Sequence, residues 1–261
     1  MVQKLLLFLP KGTKWRLLYK SLGAMLALGA AYLFRFSFLG CLVYGVILIV
    51  LSRSEFSNRR TFLVSYWTLG IVALVGLHAV MSLPPLFAVV VMRYLIFLGF
   101  GALFSVLLGI INLLFSERFL WYRLFHSVIL FFVFVALLYL APPLDRDTFF
   151  PLFFWSAGVF VIITLLMREV LSFLEIVPTR SLRLASAATG LVAVQVATLG
   201  RFLPLGFVSG GAFLAVVLIL LRDTLIAHYK GILSFSFVLK ELTFFVVFTS
   251  ILFVTTPWFI R

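Results

Sequence analysis

Nine apolar runs, separated by short polar pieces, order this chain: residues 17–34, 37–52, 61–81, 93–115, 124–141, 149–167, 184–200, 207–221 and 242–259. Each approaches the roughly 20 residues that an α-helix needs to cross about 30 Å of hydrocarbon. Most of the runs carry no narrow apolar stripe, as expected of helices with lipid around them. Nor do they alternate apolar and polar residues at every second position, as the strands of a membrane barrel would. The pattern therefore predicts an all-α fold, a polytopic transmembrane helix bundle of about nine spans, forming a single integral membrane domain over residues 1–261.

Only Phe34, Arg35 and Phe36 divide the first two runs. One continuous helix over 17–52 would be about 54 Å long at 1.5 Å per residue, so two spans with a tight turn at Arg35 fit better. The fourth span is expected to begin near Arg93, whose side chain then snorkels outward to the interface. Prolines punctuate the pieces between runs, at Pro84-Pro85, Pro142-Pro143, Pro204 and Pro257. Trp15, Trp121, Trp155 and Trp258 fall at predicted span ends, where an indole favours the headgroup level, and only Trp67 lies clearly within a span. The basic leader is long for a cleaved signal peptide, so the first span is expected to be retained.

Composition agrees with this picture. The chain is 64% hydrophobic and 11% charged, against roughly 25% charged residues in soluble domains. The net charge of +13 invites a nucleic-acid reading, but such proteins cluster their basic residues on one soluble face. Here the cations fall singly or in small groups between apolar runs, so no nucleic-acid partner is expected. With the N-terminus in the cytoplasm, 16 of the 21 Lys and Arg residues fall on that side and 5 on the other. That asymmetry is the positive-inside pattern, and it sets the C-terminus outside. The expected location is a membrane, a prokaryotic cytoplasmic membrane in particular.

Acids are scarce, 8 in the whole chain, and several neighbour a base. Arg53 with Glu55, Glu117 with Arg118, Arg168 with Glu169, and Arg222 with Asp223 each end an apolar run on the predicted cytoplasmic side. They read as candidate cytoplasmic ion pairs in contact with water, worth about 0–1 kcal/mol apiece. Their recurrence suggests four helical hairpins of one orientation, 35–85, 86–143, 144–204 and 205–257, after a first span. The piece 168–177 reads as a short helix along the inner membrane face, ended by Pro178. The piece 222–241, with Gly231 near its middle, reads as two short segments.

One run carries a sharper pattern. Ser186, Gly190, Ala193, Ala197 and Gly200 follow +4, +3, +4, +3 spacing and line one helical face, where small side chains let a neighbouring helix approach. Gln195 projects from the opposite face and is the candidate for a polar cavity. Gly206 and Gly210 add a second small-residue pair, and Gly99 and Gly101 a third. His78, Asn112 and His126 are scattered over different spans without metal-ligand spacing, and Cys41 stands alone in an apolar run. No catalytic, cofactor or metal site is expected. A non-enzymatic scaffold or subunit of a membrane complex is the leading expectation. A lipid or small-molecule transporter not coupled through an intramembrane carboxylate is the second, and a lipid-modifying enzyme the third. The bilayer is the expected partner, with other membrane subunits or a second copy of the chain as candidates.

Overall fold

The computed structural model describes residues 11–34, 38–56, 62–81, 87–111, 118–143, 149–173, 178–203 and 205–256. Among them nine helices follow one another: α1 Lys11–Leu33, α2 Phe38–Phe56, α3 Leu63–Met81, α4 Phe87–Ile111, α5 Arg118–Tyr139, α6 Phe149–Ser172, α7 Thr179–Gly200, α8 Phe207–Tyr229 and α9 Phe235–Thr255. No strand occurs among the described residues. Six helical stretches are long and apolar enough to cross a membrane: Leu63–Met81, Phe119–Tyr139, Phe150–Ser172, Thr179–Gly200, Phe207–Tyr229 and Phe235–Thr255. Three more, Leu18–Leu33, Phe38–Ser52 and Tyr94–Ile110, are apolar over a shorter length. This is an all-helical bundle compatible with a multi-pass membrane protein.

Several helices outrun the apolar stretches that announced them. α4 begins at Phe87 and not near Arg93; α5 begins at Arg118, α8 continues to Tyr229, and α9 starts at Phe235. The reason is that hydropathy and helix propagation obey different rules. At α5, α8 and α9 apolar content falls toward the helix end, whereas the backbone ladder continues until a residue stops it; at α4 the added residues 87–92, FAVVVM, are themselves apolar and prolong the run. At α8 the stop is Gly231, with φ +68, a left-handed conformation that suits glycine. Ile232 N–H donates to Ala227 O and Gly231 N–H to His228 O, both at 3.0 Å, the paired bonds of a Schellman cap. Ser234 Oγ then accepts from Phe237 N–H at 3.2 Å and opens α9. The segment 168–172 likewise belongs to α6 and is not the start of a separate surface helix.

The chain forms two compact units, Met1–Phe125 and His126–Arg261. In the first, α1 packs on α2 and α4, and α3 on α4. α1 buries Ala24, Ala27, Leu28 and Ala31, a narrow face that keeps its neighbours close. Gly101 of α4 meets the Met25 side chain, while Gly99 faces open space. Two tyrosines tie α2 to α3 in opposite directions: Tyr44 Oη donates to Gly70 O at 2.9 Å, and Tyr66 Oη to Leu48 O at 2.7 Å. A Cβ at Gly70 would lie 2.7 Å from Leu48 Cδ1, so a larger residue there would have to displace the end of that side chain.

In the second unit, α6 and α7 form the most extensive pairing, α8 packs on α7, and α9 on α8. α9 stays nearly bare: of its residues only Leu252 is buried, and Phe213 of α8 touches it through Phe245 and Phe253. Trp155, expected at a headgroup level, is instead buried. Its Nε1–H donates to Leu137 O at 2.8 Å, and the Arg201 guanidinium lies 5.1 Å over its ring. Arg201 Nη2 also donates to Pro142 O, so this end of α5, α6 and α7 is closed by one arginine.

Candidate functional site

The second unit buries a polar cluster where α5, α6 and α8 meet. Its centre is Arg222, 1% exposed, among the largest fully buried side chains of the chain. It lies on α8 at the end of a four-residue progression, Leu214, Leu218, Arg222 and Ile226, all of them buried. Positions four apart share a helical face, so the packing that buries the leucines also draws the arginine inward.

Arg222 Nε donates to Asp223 Oδ1 at 2.8 Å, an ion pair between helical neighbours. Adjacent positions on a helix do not face each other, and it is the length of the arginine side chain that lets its head fold back onto Asp223. Asp223 is 5% exposed, so both charges lie away from water. Arg222 Nη1 reaches His126 Nδ1 of α5 at 3.2 Å. A guanidinium only donates, so Nδ1 must accept, and the proton of this imidazole sits on Nε2. Nε2–H then points to Leu166 O of α6, 3.3 Å away. Three helices are thereby joined through one histidine and one arginine, in a chain of bonds that uses both ring nitrogens.

Glu169, one turn beyond Leu166 on α6, is also buried at 5% exposure. Its neighbour Arg168 is exposed, so the two do not share a wet face as the sequence pattern had suggested. Both Glu169 and Asp223 fall within helical stretches that can cross a membrane, Phe150–Ser172 and Phe207–Tyr229. Both lie beyond the apolar runs of the sequence and remain helical because α6 and α8 extend past those runs.

Of the other candidate pairs, Glu117 lies outside the described residues, as do the side chains of Arg53, Glu55 and Arg118. Asn112 is also outside them. On α7 the small residues Ser186, Gly190, Ala193, Ala197 and Gly200 are all buried. A Cβ at Gly190 would strike Thr164 Oγ1 of α6 and come within 3.1 Å of Phe160 O. A Cβ at Gly200 would lie 3.3 Å from Leu214 of α8. The face is thus occupied by α6 and α8 of the same unit. Gln195 is exposed on the other side of α7, and His78 is exposed on α3. Gly210 and Gly211 of α8 meet α5: a Cβ at Gly211 would lie 2.8 Å from Val135 N and 3.0 Å from its Cα.

The sequence pattern did not single out Arg222 as buried, nor link it to His126. The available signal was the four-residue progression from Leu214 to Ile226, which continues through the arginine. Among the described residues no group of three or more His, Cys, Asp and Glu side chains is placed to hold a metal ion. What the cluster offers chemically is a fixed charge pair and an oriented imidazole, held inside a helical bundle. Comparison with protein-family models, with curated proteins and with solved structures returns no match, and the reading of this site rests on its geometry alone.

Proposed function

We propose that this chain is a non-enzymatic multi-pass membrane protein that serves as a scaffold or subunit of a membrane complex. In this reading all nine helices span the bilayer, with the N-terminus cytoplasmic and the C-terminus outside, and the four hairpins share one orientation. The observation that carries it is α9, which packs mainly on α8 and leaves Phe244, Val247 and Ile251 exposed over its length. A helix so lightly held is suited to contact with another membrane subunit. The polar chemistry of the second unit also supports the reading, since Arg222, Asp223 and His126 are engaged with one another.

Photo-crosslinking groups placed at Phe244, Val247 and Ile251 in native membranes test it. Protein adducts confined to one stripe of α9 are expected, and labelling of lipid alone at all three positions would overturn the subunit role. A second reading, transport of a small molecule or lipid, is favoured by the carboxylate of Asp223 inside an apolar helix, because ionisable groups at such depth often mark pathways. Purified chain in proteoliposomes separates the two. Flux lost on Asp223→Asn would favour transport, and the subunit reading expects none from the chain alone.

A further inference from the structure

Where α6 and α8 finish and α7 begins, the second unit gathers exposed cations from three elements. Arg168 lies in the last turns of α6, Arg180 and Arg183 near the start of α7, and Lys230 caps α8; all four are exposed. Tertiary contacts set them at similar heights. Tyr229 Oη approaches Ser181 O at 3.5 Å, which brings the end of α8, with Lys230, beside Arg180. Gly190 of α7 packs against Phe160 and Thr164 of α6 in antiparallel fashion. Seven residues back along α7 reach Arg183, about 10 Å away, and four to eight residues forward along α6 reach Arg168, about 6–12 Å.

The described acids nearby do little to oppose the charge of the three arginines at the surface. Glu169 and Asp223 are buried, and Asp223 faces Arg222. Glu241 is half-buried on α9 beside the exposed Lys240. The first turn of α7 carries no acid, so its cations add to the positive end of the helix dipole instead of being offset there. An anion covering this end relieves that repulsion.

We propose that this end of the second unit binds the headgroups of anionic phospholipids, with Arg168, Arg180 and Arg183 recognising the phosphate. Arginine suits the task because its planar fork meets two phosphate oxygens at once. The proposal rests on residence in a membrane, which puts headgroups at this height. It identifies a lipid class as ligand, beyond any part the chain plays in a complex.

Native mass spectrometry of the full chain in mild detergent tests it, with phosphatidylglycerol, phosphatidylcholine or inorganic phosphate added. Phosphatidylglycerol adducts are expected to exceed phosphatidylcholine adducts. Each basic residue near an anionic surface is worth a factor of about five, so the double variant Arg180→Gln/Arg183→Gln should lose roughly 25-fold in that preference. Arg180→Lys/Arg183→Lys, which keeps the charge, should retain most of it. Equal binding of the two lipids would overturn the proposal, as would an unchanged preference in the glutamine variant. Displacement of the lipid by inorganic phosphate would also overturn it, assigning the surface to a soluble anion. A chain that fractionates away from membranes would instead remove the membrane reading itself, which keeps the two failures distinct.

Discussion

Arg222 serves at least two acceptors at once, Asp223 through Nε and His126 through Nη1, with almost no exposure to water. Taking one partner from such a pair leaves an uncompensated buried charge, which costs about 3–5 kcal/mol, whereas replacing both with apolar groups is often close to neutral. Asp223→Ala is therefore expected to be the more damaging change. The double variant Arg222→Leu/Asp223→Ala should recover part of the loss. Recovery stays partial because His126 then loses the Arg222 donor, a further cost of about 1–3 kcal/mol. Thermal unfolding in detergent checks the order, and a double variant less stable than Asp223→Ala would contradict it. The adjacency of Arg222 and Asp223 was plain in the sequence, but their depth was not. Drawing the helix end at the last aliphatic residue placed both in water, and only the continuing four-residue progression through Ile226 places them inside.

At the scale of the element, the glycines divide into those that hold a crossing and those that do not. A methyl group at Gly211 would meet Val135 backbone atoms, which cannot turn aside, while Gly158 of α6 faces open space. Alanine is the better helix former by about 1 kcal/mol. Gly158→Ala should thus be neutral or stabilising by up to that amount, and Gly211→Ala should destabilise by about 1–3 kcal/mol through overpacking. Unfolding midpoints of the two variants should move in opposite directions or differ by that margin; equal shifts would refute the close approach. The small-residue spacing of α7 could be read from the sequence because periodicity is a one-dimensional property. Its partners, Phe160 and Thr164 on one side and Leu214 on another, could not, because spacing describes a face and not what lies against it. The roles of Tyr44 and Tyr66 are hidden in the sequence for a related reason: in an apolar run a tyrosine looks like any aromatic until its hydroxyl finds a carbonyl.

For the whole molecule, the helical stretches that can cross a membrane and the uneven distribution of cations bear on one outcome. The chain should stay with membranes through alkaline carbonate and high salt, and leave them only in detergent. In sealed vesicles, a single cysteine placed at Ile232 should react with impermeant reagents only from the cytoplasmic side, and one at Ala141 only from the outer side. Labelling of both positions from one side would reject the proposed orientation. Helical class was legible throughout, since it depends on composition and run length. The grouping of residues into Met1–Phe125 and His126–Arg261 was not, because it depends on which helices touch.

The bond between His126 and Arg222 joins residues 96 positions apart. At a synthesis rate of about 5–20 residues per second, His126 is made about 5–20 s before the arginine that will complete it. α5 therefore exists for seconds with an imidazole that has no arginine to hold it. Val135 waits a similar time for the glycine it packs against. During that interval α5 depends on water, lipid headgroups or an assisting protein to cover its polar side. The cluster that locks the finished bundle thus also dates its assembly, because the second unit cannot close until α8 has been made.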